Sequence, residues 1–406
     1  MNKDNNKNSK VFNLGWILGI VVITSIVSAL TTGVIIYNNN KISNKLSYSD
    51  LSKDDELNQF LEVYANITSE YYQDVNKKEL LEKAISAMMS YLGDDYTTYL
   101  NNDNTTDLMT QLAGEYTGIG VAINNEDKSI TKVYDDTPAS KAGILEGDII
   151  IGINDKDVSD LNATEVVNMI KSHKDYFSLK LKRNEEIVNV SIKNEKIISP
   201  NIEYKVIDNT QIGYMSIDSF SSTLDIQMQK ALNKLEENKI ESLIIDLRNN
   251  TGGYLDIASK VTSMFTKKGE KIYSLNEKNE VNHYFDETEE HRDYPIIILT
   301  NNNTASASEI MAAALKDNYG AILVGETTFG KGKVQQTMKL DDGSMVKYTS
   351  AYWLTPSGTC IDEIGITPNY LISNEEVFDE NGKLIDIIDR QLEKAISLLS
   401  EQESQN

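Results

Sequence analysis

The longest apolar segment of the chain lies near its beginning. Residues 11–40 carry no charged side chain, and their apolar part, roughly residues 16–37, exceeds the ~20 residues that a helix needs to cross a bilayer. Three lysines lie in the ten residues before this segment and two lie at 41–45, which favours a cytoplasmic amino terminus. We therefore predict one transmembrane helix, with the rest of the chain outside the cytoplasm. The small residues over 25–29 are typical of a leader cleavage site, so a removed signal peptide is the alternative.

A helical pattern follows a polar stretch over 38–50. Apolar residues recur every three or four positions from Asp54 to Tyr91, which predicts two amphipathic helices joined near residues 73–76. A turn is predicted at 93–95, followed by a polar connector to about Leu108.

The pattern becomes β-like from about Glu115. Short apolar runs and one helix, at 163–171, predict a compact β-rich module that ends before Pro200. The predicted strands cover 121–123, 130–133, 148–153, 177–181 and 187–192.

From Gln211 apolar strands alternate with helical segments. This pattern is typical of βαβ units and a largely parallel sheet. The strands are predicted at 212–217, 243–247, 296–300 and 321–325, and the helices at 224–238, 255–264 and 306–316. A hairpin is predicted over 334–353, and an amphipathic helix over 382–399.

The composition argues against several classes of function and of site. The chain holds 62 acidic and 39 basic residues, a formal charge of −23, and such a surface repels nucleic acid and anionic lipid. Cys360 is the only cysteine, so an internal disulfide is impossible. The three histidines fall in no HExxH or HxH pattern, so we predict no catalytic zinc site.

Two strand-to-helix connections carry candidate chemistry. In Asp246–Gly253 glycines let the backbone approach a ligand, although an ordinary βα turn is the alternative. Asn301–Glu309 brings small hydroxyl residues to a helix start, which stabilises negative charge that develops beside it. Ser306 followed by Glu309 also fits a capping box, and the two roles are compatible.

The third candidate segment is Phe329–Gln335, in which two glycines flank Lys331. The phosphate-binding pattern GxxxxGK[ST] is absent. A lysine in an apolar site loses affinity for its proton and can accept the proton of a serine hydroxyl, the Ser-Lys form of nucleophilic catalysis. Gln335 lies on the same side of the chain and could orient the amine. Lys333 lies there too in an extended segment, so position alone does not choose between the lysines.

The three segments together resemble a known family. DLRNNTGG (246–253), NTASASEI (303–310) and GETTFGKGKVQ (325–335) are similar, in this order, to motifs of the carboxy-terminal processing peptidases, also called tail-specific proteases. One departure is Asn303-Thr304, where the family usually has Gly-Ser.

This resemblance implies the roles of five residues. Ser306 would be the nucleophile, Lys331 the general base and Gln335 the residue that orients the lysine. Backbone N–H groups of Ala307 and Gly252 would form the oxyanion hole, with the adjacent Gly253 as the alternative to Gly252.

The β-rich module resembles a PDZ domain. Residues 116–121 are similar to its carboxylate-binding loop, and 140–144 and 147–150 to its later landmarks. The resemblance implies that a substrate tail adds a strand to the module while the loop binds its terminal carboxylate. The implied binding residues are Gly118, Ile119, Gly120 and Val121. Residues 71–74 and 92–96 resemble the helical amino-terminal segment of the family.

The resemblance also implies the fold and the domain organisation. We expect an α/β protease core of βαβ units, crotonase-like, with an inserted PDZ domain, an amino-terminal helical segment and one transmembrane helix. The predicted bounds are 1–37 for the cytoplasmic amino terminus and anchor, 48–108 for the helical segment, 109–196 for the PDZ domain, 197–375 for the protease core and 376–406 for the carboxy-terminal helix and tail.

The predicted protein is a single-pass, membrane-anchored serine endopeptidase without metal or organic cofactor. It would cleave extracytoplasmic proteins near their carboxyl termini and take substrates with apolar tails. The two amino-terminal helices are predicted either to form a homodimer or simply to pack.

Two rival hypotheses remain. The first is a non-catalytic, anchored PDZ adaptor, against which the set Ser306, Lys331 and Gln335 argues. The second is a Ser-His-Asp hydrolase, but His173 falls in the β-rich module, and His283 and His291 fall in a polar, acidic stretch.

Overall fold

A computed structural model describes residues 53–380 and 383–403. These residues form two compact units, one ending at Ala84 and the other beginning at Ile85. Across both described ranges, none of the helices has the length and apolar character that a membrane span requires. The transmembrane helix predicted over 16–37 lies outside these ranges.

The helices agree with most of the sequence-based expectations. The two predicted amphipathic helices are confirmed, and Asp54 caps the first by accepting a hydrogen bond from the Leu57 N–H at 2.9 Å. The helices are α1 (Asp55–Glu70), α2 (Lys77–Tyr91), α3 (Asn102–Ala113), α4 (Pro138–Lys141), α5 (Ala163–Ser172), α6 (Leu224–Glu237), α7 (Leu255–Thr262), α8 (Ala307–Ala314), which continues as a π-helical turn (Leu315–Tyr319), and α9 (Arg390–Glu403).

Most of the strands group into an α/β core and the β-rich module. They are β1 (Thr98–Leu100), β2 (Glu115–Gly118), β3 (Val121–Ile123), β4 (Ile130–Val133), β5 (Ile149–Ile153), β6 (Lys156–Asp157), β7 (Phe177–Arg183), β8 (Glu186–Ile192), β9 (Glu195–Ile198), β10 (Ile202–Val206), β11 (Ile212–Ile217), β12 (Ser242–Asp246), β13 (Lys271–Glu277), β14 (Val281–Phe285), β15 (Ile296–Thr300), β16 (Ile322–Gly325), β17 (Lys333–Lys339), β18 (Met345–Leu354), β19 (Tyr370–Leu371), β20 (Glu375–Phe378) and β21 (Leu384–Ile388).

The larger sheet of the core is mainly parallel, as the alternating pattern predicts. Its strand order is β10-β11-β12-β15-β16-β19, and only the β10–β11 pair is antiparallel. Every residue of β12 and β15 is buried, because helices cover both faces of the central strands. This sheet is the rigid base from which the site loops project.

The second sheet of the core is antiparallel. β18 pairs with β17 along one edge and with β1 and β13 along the other, and β14 completes the sheet beyond β13. The predicted hairpin is thereby confirmed as β17–β18. β17 begins two residues after Lys331, so this sheet positions the lysine segment.

The β-rich module has its own core. Strands β5 to β8 form a four-stranded sheet, β2 pairs with β9, and β3 pairs with β4. Ile150, Leu179 and Leu181 are completely buried between these strands and α5. A capping box between Asn162 and Glu165 begins α5 at the predicted position.

Two expectations were wrong. Residues 98–113 form β1 and α3 instead of a polar connector, because Asn101 caps α3 and Gly114 ends it in a left-handed conformation. The predicted helix over 382–399 begins only at Arg390, since Leu384–Ile388 pairs with β20 as a hairpin.

Candidate active site

The three candidate segments leave the parallel sheet at the same edge. β12, β15 and β16 are adjacent parallel strands. The first segment begins at the last residue of β12, the second directly after β15, and the third shortly after the carboxyl end of β16. Carboxyl ends of parallel strands are where open α/β sheets place their ligand sites. The sheet therefore brings together three stretches that are about 80 residues apart from first to last in the sequence.

Ser306 occupies a sharp turn between β15 and α8. Its backbone has φ 59° and ψ −118°, a left-handed conformation that costs on the order of 1–3 kcal/mol for a residue with a side chain. Such strain at a strand-to-helix turn is typical of an exposed nucleophile. The next residue, Ala307, is the first of α8, and its N–H donates to no described residue.

Asn250 ties the first segment to the second. Its backbone carbonyl accepts hydrogen bonds from the Ala305 N–H at 3.0 Å and the Ser308 hydroxyl at 3.0 Å. Its side-chain Nδ2 donates to the Ile217 carbonyl at 2.7 Å. Because Asn250 is completely buried, this connection fixes the loop that faces Ser306.

The departure at Asn303-Thr304 is accommodated by hydrogen bonds. The buried Thr304 hydroxyl donates to the Leu247 carbonyl at 2.8 Å and accepts from the Asn301 N–H at 3.0 Å. The Asn303 side chain donates to Asn249 at 3.1 Å. The turn before Ser306 is thus held on both sides.

Gly252 packs directly against the turn that carries Ser306. A Cβ at this position would lie 2.8 Å from the Ala305 carbonyl oxygen and 2.9 Å from the Ser306 Cβ, so only glycine fits. Its N–H donates to the Asn250 Oδ1 at 2.9 Å. Within the described residues the Gly253 N–H donates to no acceptor. Of the two alternatives, Gly252 and Gly253, it is therefore Gly253 whose N–H is available to an oxyanion.

Glu309 connects the second segment to the third. Its carboxylate is 0% exposed and accepts four hydrogen bonds: from the backbone N–H groups of Ser306 (2.8 Å), Gly330 (2.8 Å) and Lys331 (2.9 Å), and from the Thr328 hydroxyl (2.6 Å). Burial raises the pKa of Glu309, and these hydrogen bonds counteract the increase. One side chain therefore holds the backbones of both candidate catalytic residues.

The glycines beside Lys331 allow a second chain segment to approach. Gly330 has φ 86°, and a Cβ there would lie 2.7 Å from the Gly365 backbone nitrogen. The Lys331 carbonyl accepts from the Trp353 indole N–H at 2.8 Å, and the Gly332 N–H donates to Asp362 at 3.0 Å. The backbone around the lysine is consequently fixed from several sides.

The Lys331 side chain is half-buried and its charged form is disfavoured. Burial lowers the pKa of Lys331, and repulsion from Lys347 lowers this pKa further, whereas Glu309 and Asp94 partly restore it. The Nζ lies 4.6 Å from the centre of the Tyr96 ring, at cation–π distance. Among the described residues no hydrogen bond joins Lys331 Nζ to Ser306 or to Gln335.

Lys333 and Gln335 lie in the same cleft. Lys333 forms an ion pair with Asp94 at 3.5 Å, and its pKa is raised, since attraction to Asp362 and Asp94 exceeds the effect of burial. The two candidate lysines are thereby distinguished: the pKa of Lys331 is lowered and that of Lys333 is raised. The Gln335 amide nitrogen donates to the Lys333 carbonyl at 3.1 Å and to Thr349 at 3.4 Å.

The cleft that contains these residues has a volume of about 490 Å³. Ser306, Gly252, Gly253, Lys331, Lys333, Gln335 and Lys347 line it together with the apolar side chains of Leu108, Met109, Leu112, Ile310 and Val334. It is large enough for several residues of an extended peptide. None of the three histidines lines it: His173 contacts Met169 and Asn154, His283 contacts the buried Ser274, and His291 is near Asp293.

The predicted carboxylate-binding loop links β2 to β3. The N–H groups of Ile119 and Gly120 donate to no acceptor in the described part of the chain, as expected for groups that bind an external anion. The Ile119 carbonyl accepts from Ala139 at 2.8 Å and the Gly120 carbonyl from Tyr134 at 3.1 Å, which orients the loop. Gly118 and Val121 are the flanking strand residues.

Sequence reasoning missed four residues of this arrangement: Tyr96, Asn250, Glu309 as a link to Lys331, and Lys347. Tyr96 is distant in sequence from the three motifs, and Lys347 lies in the strand that follows the third motif, so no motif indicates either residue. Glu309 was visible only as a helix-capping residue.

Comparison with known proteins identifies the family. Three family models match the chain: Peptidase family S41 over residues 211–372, PDZ domain over residues 117–193, and Activating protease CtpB N-terminal domain over residues 26–104. The carboxy-terminal processing protease CtpA of Bacillus subtilis (strain 168) is 36% identical over 355 residues, which are 86% of this chain and 75% of the relative.

Two further relatives agree. The carboxy-terminal processing protease CtpB of Bacillus subtilis (strain 168) is 33% identical over 81% of this chain and 70% of its own length. A probable CtpA-like serine protease of Staphylococcus epidermidis (strain ATCC 12228 / FDA PCI 1200) is 34% identical over 88% of this chain and 72% of its own length. The chain therefore belongs to peptidase family S41, among the carboxy-terminal processing proteases, and is a serine endopeptidase with a PDZ domain.

Proposed function

We propose that this protease uses Ser306 as nucleophile and Lys331 as general base to cleave extracytoplasmic proteins near their carboxyl termini. The observation that carries the proposal is the double connection of Glu309, which hydrogen-bonds the backbones of both residues and keeps them in one cleft. The lowered pKa of Lys331 supports its role, because only a neutral amine can accept a proton.

In the proposed mechanism the Lys331 amine takes the proton of the Ser306 hydroxyl as Oγ attacks the scissile carbonyl. The oxyanion is stabilised by the Ala307 N–H and by the N–H of Gly252 or Gly253. Lys331 then returns the proton to the leaving amine, and water hydrolyses the acyl-enzyme in a second step. Gln335 would orient the lysine through its amide oxygen, since its amide nitrogen already donates to Lys333.

Substrate selection is proposed to begin at the PDZ domain. The free N–H groups of the loop Gly118–Val121 would bind the carboxylate of an apolar tail while the tail adds a strand to the module. The protein substrate would then enter the cleft, whose apolar wall suits an uncharged chain.

The cellular setting is a further part of the proposal. The uncharged stretch over 11–40 supports a single-pass anchor with the catalytic part outside the cytoplasm. The exposed apolar residues Phe60 and Leu61 of α1 support homodimer formation through the amino-terminal helices. We also propose that the core is crotonase-like and that the chain is divided at the five domain bounds given above.

The test is cleavage of a peptide that ends in an apolar, uncharged tail, by the part of the chain that follows the anchor. The parent should cleave it, and Ser306→Ala and Lys331→Ala should each lose at least about 1,000-fold in kcat. Lys333→Ala is the matched control, since it removes the neighbouring lysine and should retain a substantial part of the activity. Cleavage that persists in both the Ser306 and the Lys331 variants would refute the pair.

The rival adaptor function predicts a different outcome. A non-catalytic PDZ adaptor binds the peptide but leaves it intact in every variant, including the parent. Peptide binding measured by fluorescence anisotropy beside the cleavage assay separates the two functions.

A further inference from the structure

Lys347 is a cation in the catalytic cleft that the proposed mechanism does not use. It is the third residue of β18, opposite Thr98 of β1 on one side and Thr337 of β17 on the other. Thr337 lines the same cleft as Lys347 and Ser306. Lys331 lines this cleft too, and repulsion from Lys347 is one of the causes that lower the pKa of Lys331.

Lys347 differs from its neighbour Lys333 in having no counter-charge. Lys333 is paired with Asp94 at 3.5 Å, whereas no carboxylate of the described residues lies within ion-pair distance of Lys347. A half-buried ammonium without a partner is incompletely solvated, so it gains free energy when an anionic group binds beside it.

The rest of the cleft limits what that group can be. Leu108, Met109 and Leu112 of α3 form an apolar wall, and the cleft holds several residues of an extended chain. A peptide that lies there can bring a carboxylate to Lys347 only from an acidic side chain or from its own carboxyl terminus.

We propose that Lys347 is a specificity-determining residue that binds a substrate carboxylate within a few residues of the scissile bond. This inference rests on the proposed function, because it assumes that the cleft of Ser306 binds the substrate. It is separate from recognition by the PDZ domain, since Lys347 lies in the core sheet and not in the loop Gly118–Val121.

The test uses matched peptides that share one cleavage sequence. The reference peptide is neutral, with glutamine at the varied positions and an amidated carboxyl end. Each peptide of the second series carries one glutamate, placed in turn at the first four positions on either side of the scissile bond. Peptides of the third series have a free carboxyl end one to four residues beyond the scissile bond. We expect the parent to favour at least one carboxylate peptide over the neutral peptide by about threefold to tenfold in kcat/KM. The position and series that show the preference distinguish a side-chain from a terminal carboxylate.

Variants then assign the preference to Lys347. Lys347→Met should bring the ratio of acidic to neutral kcat/KM to about one, whereas Lys347→Arg should retain it, and raised salt should reduce it in the parent. Lys339→Met, at an exposed position of β17, is the matched control and should leave the ratio unchanged. The ratio is the readout because a changed Lys331 pKa affects both peptides equally.

Two results would overturn the inference: no carboxylate preference at any position in the parent, or a preference that Lys347→Met leaves undiminished. Because the PDZ loop would also favour a free carboxyl end, only the part that Lys347→Met removes counts. Failure of the proposed function is distinguishable, since it would appear as cleavage of the neutral peptide by Ser306→Ala.

Discussion

At the scale of single residues, Glu309 has the widest structural influence in the site. Its carboxylate accepts from three backbone N–H groups and one hydroxyl while it is completely buried. An amide in its place presents two N–H donors to groups that are themselves donors, so part of the network would be broken. Buried networks of this kind are strongly cooperative.

We therefore expect Glu309→Gln to lower the free energy of unfolding by about 3 kcal/mol and kcat by about 100-fold. Urea denaturation and peptide cleavage measure the two effects. Thr328→Val, which removes one of the four donors, is the matched control and should cost less in both. Wild-type activity in a stable Glu309→Gln variant would show that the connection is not needed.

The pH dependence follows from the environment of Lys331. The base must be neutral, so kcat/KM should rise as pH increases through the lowered pKa of Lys331, below the value of about 10.4 for a free lysine. Lys347→Met removes a repulsive charge, which raises the pKa of Lys331, so the rising limb should move to higher pH. A pH–rate profile with the neutral peptide measures the shift. If the rising part of the profile stays at the same pH in Lys347→Met, Lys347 does not lower the pKa of Lys331.

The sequence alone could assign only some of these residues. Short contiguous motifs predict Ser306, Lys331 and Gln335 as site residues, and the structure brings all three to one cleft. No motif predicts Tyr96 or Lys347: Tyr96 contacts Lys331 from a distant part of the chain, and the β17–β18 hairpin brings Lys347 to the cleft. The choice between Gly252 and Gly253 was open because hydrogen-bond direction depends on backbone geometry and not on residue type.

At the scale of elements, the lysine segment depends on its packing against residues 361–365. A Cβ added at Gly330, where φ is 86°, would lie 2.7 Å from the Gly365 backbone nitrogen, whereas Gly269 has φ 87° with open space around it. Alanine at Gly269 therefore introduces backbone strain alone, whereas alanine at Gly330 introduces the same strain together with steric overlap.

We expect Gly269→Ala to cost about 1 kcal/mol of stability and to leave kcat unchanged. Gly330→Ala should lose at least about 100-fold in kcat, because the chain carrying Lys331 must move. Thermal unfolding and cleavage assays on both variants test this. Equal activity of the two variants would refute a tightly fixed lysine segment.

Helices with strong apolar periodicity and good caps, such as α5 with its Asn162–Glu165 box, were predicted closely. Among the elements that were missed, β1, α3 and the β20–β21 hairpin are short or largely polar. Their structure depends on partners elsewhere: β1 forms only because β18 is available at its edge. The local pattern of apolar and polar residues does not indicate such long-range pairing.

At the scale of the whole molecule, the apolar stretch over 11–40 and the three lysines before it support the proposed anchored enzyme that acts outside the cytoplasm. The full-length chain should remain with membranes after a carbonate wash, whereas a chain that begins at residue 38 should be soluble. Release of the full-length chain would contradict anchoring. A shortened chain in the released fraction would indicate the cleaved leader.

The central claim is that Ser306 is the nucleophile and that Lys331 activates it. Intact-mass and peptide mapping after reaction with a serine-directed phosphonate tests this most directly. The account predicts one covalent adduct on Ser306, formed at least about 100-fold more slowly in Lys331→Met. An adduct on another residue, or an unchanged rate in Lys331→Met, would contradict it.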